Sequence, residues 1–133
     1  MKRIALLLLF IVPISAAAFQ EVQVPEPTQD PNASFRLFRT ENIFMFLKLD
    51  TRTGQIWQVQ WNVSEDKRFT SALSNVVLVP AGTPDHPAVL RPGRFTLAPT
   101  ESIHTLMLLD TYDGRVWQVQ WGDEKSRFLI AIP

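Results

Sequence analysis

The sequence predicts an all-β protein: two tandem four-stranded antiparallel repeats packed with pseudo-twofold symmetry as a small sandwich or partly open barrel. Three observations carry this. The pentapeptide Trp57-Gln58-Val59-Gln60-Trp61 returns as Trp117-Gln118-Val119-Gln120-Trp121, and the two copies hold all four tryptophans of the chain. A shift of 60 residues superposes Phe35–Trp61 on Phe95–Trp121 with 14 identities in 27 positions, which internal duplication explains economically. Apolar residues alternate with a period of two, no apolar stripe recurs at helical spacing, and ten prolines argue against long helices.

The N-terminus reads as a secretory signal over residues 1–18. Lys2 and Arg3 form a basic start, Ile4 to Ile14 an apolar run of eleven residues, and Ser15-Ala16-Ala17-Ala18 a small-residue cleavage site before Phe19. The apolar run is too short to cross a bilayer, so an exported chain, periplasmic or extracellular, is expected, without a stable membrane anchor if the signal is cleaved, the alternative being an uncleaved anchor. Residues 19–34 carry Pro25, Pro27 and Pro31 among polar residues and read as a flexible leader. A single β-domain then fills 35–133, with repeat one at 35–73, a connection at 74–93 and repeat two at 94–133. Asn32-Ala33-Ser34 and Asn62-Val63-Ser64 match the N-glycosylation acceptor pattern, which has meaning only in a host that glycosylates.

Composition narrows the function classes. The chain has no cysteine, which removes disulfides, lipid-modified cysteine and thiolate metal sites. Loss of Lys2 and Arg3 leaves 11 basic against 13 acidic residues, a formal charge of −2. Without a basic field there is no counterion-release drive toward nucleic acid and no polybasic patch for an anionic membrane.

Period-two alternation places strands at about 35–39, 43–50, 55–62 and 67–73, and again at about 94–98, 103–110, 115–121 and 126–132. Asn75 to Val79 reads as a further short strand, and Pro80 to Pro92 as an irregular loop, one place where function can be added to a scaffold. The turns Asp50-Thr51-Arg52-Thr53-Gly54 and Asp110-Thr111-Tyr112-Asp113-Gly114 close hairpins. Gly54 and Gly114 supply positive φ, and the Asp50 and Asp110 carboxylates can accept a backbone N–H two residues on.

A three-residue loop ending on the glycine sets Leu49 opposite Trp57, Leu47 opposite Val59 and Met45 opposite Trp61. In the second copy it sets Leu109 opposite Trp117, Met107 opposite Val119 and Thr105 opposite Trp121. A four-residue loop would instead set Lys48 opposite Trp57 and Leu47 opposite Gln58. The first register gathers aromatic and aliphatic side chains on one face and is the expected one.

On that reading Trp57, Val59, Trp61, Trp117, Val119 and Trp121 are core, because a cysteine-free domain this small needs the area that buried indoles remove from water. The face behind them carries Gln58, Gln60, Gln118 and Gln120, either as plain solvated surface or as a ligand-binding groove whose amides offer donor and acceptor to a glycan or a protein backbone.

Two resemblances attach to these residues. Leu49-Asp50-Thr51-Arg52-Thr53-Gly54-Gln55-Ile56-Trp57 resembles the strand-turn-strand of quinoprotein-type β-propellers over about nine residues, but two units cannot close a propeller, which needs typically four or more. The tandem pattern Phe95-x-Leu97-x-Pro99-Thr100, Leu108-Leu109-Asp110-Thr111 and Gly114-x-x-Trp117-Gln118-Val119-Gln120-Trp121 is similar to that of small gut-bacterial proteins of no known activity. Repeat one departs from it at Arg39, where the pattern has proline.

Catalysis has little to stand on. His86 lies in a proline-flanked loop and His104 replaces Phe44 of the first repeat, so they are neither paired nor at metal-ligand spacing. Asp50 and Asp110 are explained by their turns. No catalytic residue, metal or cofactor is expected, and the reading is a non-catalytic exported binding or interaction module for an unknown protein or glycan. The rivals are a periplasmic hydrolase inhibitor acting through the loop, a carbohydrate-binding module using Trp or Gln side chains, and a structural envelope subunit that self-associates through strand edges.

Overall fold

The computed structural model of the chain describes residues 30–133, so the signal and most of the leader fall outside the described residues. Eight strands make two four-stranded antiparallel meanders. The first contains β1 (Phe35–Arg39), β2 (Met45–Asp50), β3 (Ile56–Gln60) and β4 (Phe69–Ser74); the second contains β5 (Phe95–Pro99), β6 (Thr105–Asp110), β7 (Val116–Gln120) and β8 (Phe128–Ile132). Apart from one 3₁₀ turn at Glu65–Lys67, no helix occurs among the described residues. The two sheets stack as an open sandwich around one apolar cluster.

Most strands are shorter than the alternation suggests, because side chains end them. The Thr40 hydroxyl donates to the Met45 carbonyl at 2.9 Å and Thr100 to that of Thr105 at 2.7 Å, so both Thr-Glu pairs are hairpin closures.

The hairpin register is the four-residue one. Asp50 N–H donates to the Gln55 carbonyl (3.0 Å) and Gly54 N–H to that of Asp50 (2.9 Å); Asp110, Arg115 and Gly114 repeat this at 2.9 and 2.8 Å. Lys48 therefore faces Trp57 and Leu47 faces Gln58, while Leu108 faces Trp117 and Met107 faces Gln118. The loop is an α-turn closed by a left-handed glycine, φ +81° at Gly54 and +80° at Gly114, and this backbone geometry overrides the sorting of side chains that favoured the shorter loop.

Each sheet thus has a W face, carrying the Trp-Val-Trp side of the pentapeptide, and a Q face, carrying the Gln side. Both repeats pair in the same register, so the faces are equivalent between them. They are not used alike. The first sheet turns its Q face inward, burying Met45, Leu47, Leu49, Ile56 and Gln58. The second turns its W face inward, burying Phe95, Leu97, Leu106, Leu108, Trp117, Val119 and Trp121.

Contact of Q face on W face differs from the expected pseudo-twofold, which would bring like faces together. It is a head-to-tail stacking. Both faces are apolar enough to be covered: strand β2 reads Met-Phe-Leu-Lys-Leu and β6 Thr-Leu-Met-Leu-Leu, without clean alternation, so neither face of either sheet is purely solvated.

Residues 75–79 form no strand. The segment crosses both turns, with Leu78 N–H donating to the Thr53 carbonyl (2.8 Å) and the Arg115 guanidinium to the Leu78 carbonyl (3.0 Å), which uses its backbone groups outside any ladder. Val79 is buried and Leu78 packs on the cluster. The end of the leader is fixed too: Thr51 N–H donates to the Ser34 carbonyl at 2.9 Å and the Thr51 hydroxyl to that of Ala33 at 2.6 Å.

Candidate interaction surfaces

The four glutamines split. Gln58 is 2% exposed and its amide closes a reciprocal pair with the backbone of Gly122, Nε2 donating to the carbonyl at 2.9 Å and Oε1 accepting the N–H at 2.8 Å. It is an inter-sheet tie and not a ligand-facing group. Gln60, half-buried, donates to the Lys67 carbonyl at 2.9 Å. Gln118 and Gln120 lie half-buried on the outward Q face of the second sheet, beside Met107, Leu109, Val116 and the exposed Ile130.

The tryptophans split the other way. Trp117 and Trp121 are core with Val119, but Trp57 and Val59 are only half-buried on the outward W face, and Trp61 is 46% exposed. Reversal of the first sheet is the physical reason: the pentapeptide that fills the core in one repeat covers the surface in the other. Lys48 rests over Trp57, Nζ 4.7 Å from the ring centroid, a cation–π contact that keeps the ammonium at the solvent side. The Trp61 indole donates to the Ile43 carbonyl at 2.7 Å, packs at a tilt against Phe44 with ring centroids 5.3 Å apart, and borders a groove of about 390 Å³ that Met45 and Phe46 also line. His104 takes the Phe44 place against Trp121, ring centroids 4.7 Å apart, which accounts for one histidine structurally.

Asp50 and Asp110 are architectural. Asp50 accepts Arg52 N–H at 2.9 Å and the Arg52 guanidinium at 3.0 and 2.8 Å. Asp110, fully buried, accepts Tyr112 N–H at 2.9 Å, the buried Arg94 guanidinium at 2.8 and 3.0 Å, and Arg115 at 3.2 Å. Burial alone would raise its pKa, but the bonds from Arg94 and the Tyr112 N–H, with the Arg94 charge, hold it below the ordinary carboxylate value of 3.8. The bond to Asp110 correspondingly raises Arg94 above its ordinary value, against its own desolvation.

Sequence reasoning passed over Arg94. Its signal is positional: it stands where the first repeat has Ser34, directly before the Phe that opens each repeat, and only the copy with the inward aspartate has an arginine there.

The connection is ordered around its tip, where Thr83 and His86 exchange backbone bonds at 2.8 and 3.1 Å, and it is tied to the second repeat by Arg94 donating to the Val89 carbonyl at 2.8 Å. Among the described residues no group of three His, Asp or Glu side chains gathers as a metal site, and no helix is long and apolar enough to cross a membrane.

The chain matches no known family, no curated protein and no solved structure.

Proposed function

We propose that the protein is an exported, non-catalytic interaction module that works through its two outward sheet faces. The observation that supports this is the placement of large apolar side chains outward on both ends of the stack: Phe46, Trp57 and Val59 on one, Met107, Leu109, Val116 and Ile130 on the other. A fold that buries equivalent residues in its core has the means to bury these, and contiguous apolar patches on soluble proteins mark contact surfaces. Asp50 and Asp110 serve their turns, and neither is available for acid-base work while held by arginine.

A second reading has its own observation. Trp61 stands exposed beside an open groove with Arg39, Thr40 and Asn42 on its wall, an arrangement suited to stacking a sugar ring and bonding its hydroxyls.

Surface-immobilised protein tested against a glycan panel and envelope extracts decides between these. The first reading expects saturable retention that Val59→Lys or Ile130→Lys removes. The second expects glycan retention lost on Trp61→Ala alone. Turnover of a substrate that disappears on Asp50→Asn, with the fold intact, would overturn both.

A further inference from the structure

We infer that the partner of these faces is a further copy of the chain, with the outward W face of β1–β4 in one copy receiving the outward Q face of β5–β8 in the next. This rests on reading the two faces as interaction surfaces and names their occupant.

The argument begins with the internal interface. Like-face contact about a twofold axis satisfies itself and stops. A Q face set on a W face is heterologous, and it leaves one unpaired face of each kind at the two ends of every chain, the condition for rings or filaments.

The end faces also repeat the internal ones position by position. Outward Phe46, Trp57 and Val59 stand in the places of buried Leu106, Trp117 and Val119. Outward Leu109, Val116 and Gln118 stand in the places of buried Leu49, Ile56 and Gln58. The duplicated chain therefore carries, on its outside, near copies of both halves of a contact it already makes.

The polar tie has its counterpart as well. Inside the chain Gln58 grips the backbone of Gly122. The equivalent external pair is Gln118 of one copy with Asn62 of the next. Neither the Gln118 amide nor the Asn62 N–H has a hydrogen-bond partner among the described residues.

Two residues depart from the template, Thr105 standing in the place of buried Met45 and Lys48 in that of buried Leu108. The Lys48 stem can lie over Trp57 while the ammonium reaches the rim, so the external contact is weaker than the internal one and reversible. If a whole number of equal steps completes one turn without rise the stack closes into a ring, and otherwise it extends as a filament. Architectures of radially repeated four-stranded sheets close with four to eight, which corresponds to about two to four copies of this chain.

Sedimentation velocity on the full chain, as its expressing cells process it, tests the inference over a concentration series. Wild type is expected to associate reversibly, and Lys48→Leu to associate at about tenfold lower concentration, a change of about 1.4 kcal/mol. Val59→Lys blocks the W face and Gln118→Lys the Q face, so each variant alone should be monomeric. Mixed, they should form a capped one-to-one dimer, because each keeps the face that the other lacks.

Three results would overturn the inference: a wild-type chain that stays monomeric at every concentration, as when the segment before residue 30 occupies a face; association that survives both lysine substitutions, as strand-edge pairing would; or no dimer in the mixture. A monomer that still loses glycan or extract binding on Val59→Lys ends this inference and keeps the reading of the faces. A monomer that binds nothing ends both.

Discussion

Gln58 and Gly122 join the two sheets by a reciprocal amide-backbone pair, at 2.9 and 2.8 Å, and this pair exists in only one of the two places the duplication offers. Removing it tests the reversal of the sheets directly. Gln58→Ala leaves the Gly122 N–H and carbonyl without their partner in a half-buried site and opens space beside the core, which should cost about 1 to 3 kcal/mol. Gln118→Ala, at the equivalent place on the outward face, should fall within about 0.5 kcal/mol of wild type in dilute protein. Urea unfolding of the pair reads the difference, and equal costs would mean that both glutamines face the same kind of surroundings.

The sequence made the two four-stranded units legible because a 60-residue repeat, period-two alternation and paired Asp-to-Gly turns are local signals. Which face each sheet buries was not legible. Leu47 and Met107, or Phe46 and Leu106, are interchangeable by hydropathy, so either face of either sheet can serve as core. The choice depends on how one repeat meets the other across a connection without regular structure. Lys48, set against Leu108, was the one residue that marked the W face of the first repeat as outward, and it carried weight only after the hairpin loop was known to hold four residues.

The buried ion pair makes an acid-sensitive prediction. Asp110 has a folded pKa below its ordinary value, so its contribution to stability is complete above about pH 4 and is lost as the pH falls through the lower folded value. Asp110→Asn should cost about 3 to 5 kcal/mol at neutral pH, since it strands the buried Arg94 charge, and should flatten the acid limb of stability below pH 4. Asp50→Asn should cost less, because the Arg52 side chain is 39% exposed and water can take over its charge. Urea midpoints from pH 7 down to pH 2 check both, and an acid limb equally steep in Asp110→Asn would remove the assignment.

Gly54 and Gly114 share a left-handed backbone, φ +81° and +80°, but not their surroundings. A Cβ at Gly54 would lie 2.8 Å from Leu78 Cδ1 and 3.2 Å from its Cβ, whereas one at Gly114 meets nothing within 4 Å. Gly114→Ala should therefore cost only the backbone term, about 1 to 2 kcal/mol. Gly54→Ala should add about 1 to 3 kcal/mol for displacing Leu78 from the segment that seals the two turns. Equal shifts in melting temperature would show that Leu78 does not press on this turn.

The tryptophans give the last test, because the two copies of one pentapeptide should report opposite environments. Trp117 and Trp121 are 6% and 4% exposed, and Trp61 is 46% exposed. In dilute protein the emission should be composite, with a blue, shielded part from the second copy and a red part open to iodide. Trp61→Phe should remove most of the quenchable part, and Trp121→Phe should leave it in place. The stability readout runs the other way. Trp121→Phe gives up core volume, but the indole N–H it removes is buried without a partner, so part of the packing loss is offset. Trp61→Phe loses a 2.7 Å bond to the Ile43 carbonyl at the surface, where water can replace the donor, and should cost less than about 1 kcal/mol. Iodide quenching that is equal for both variants would mean that the two sheets bury the same face, and the head-to-tail stack would fall with it.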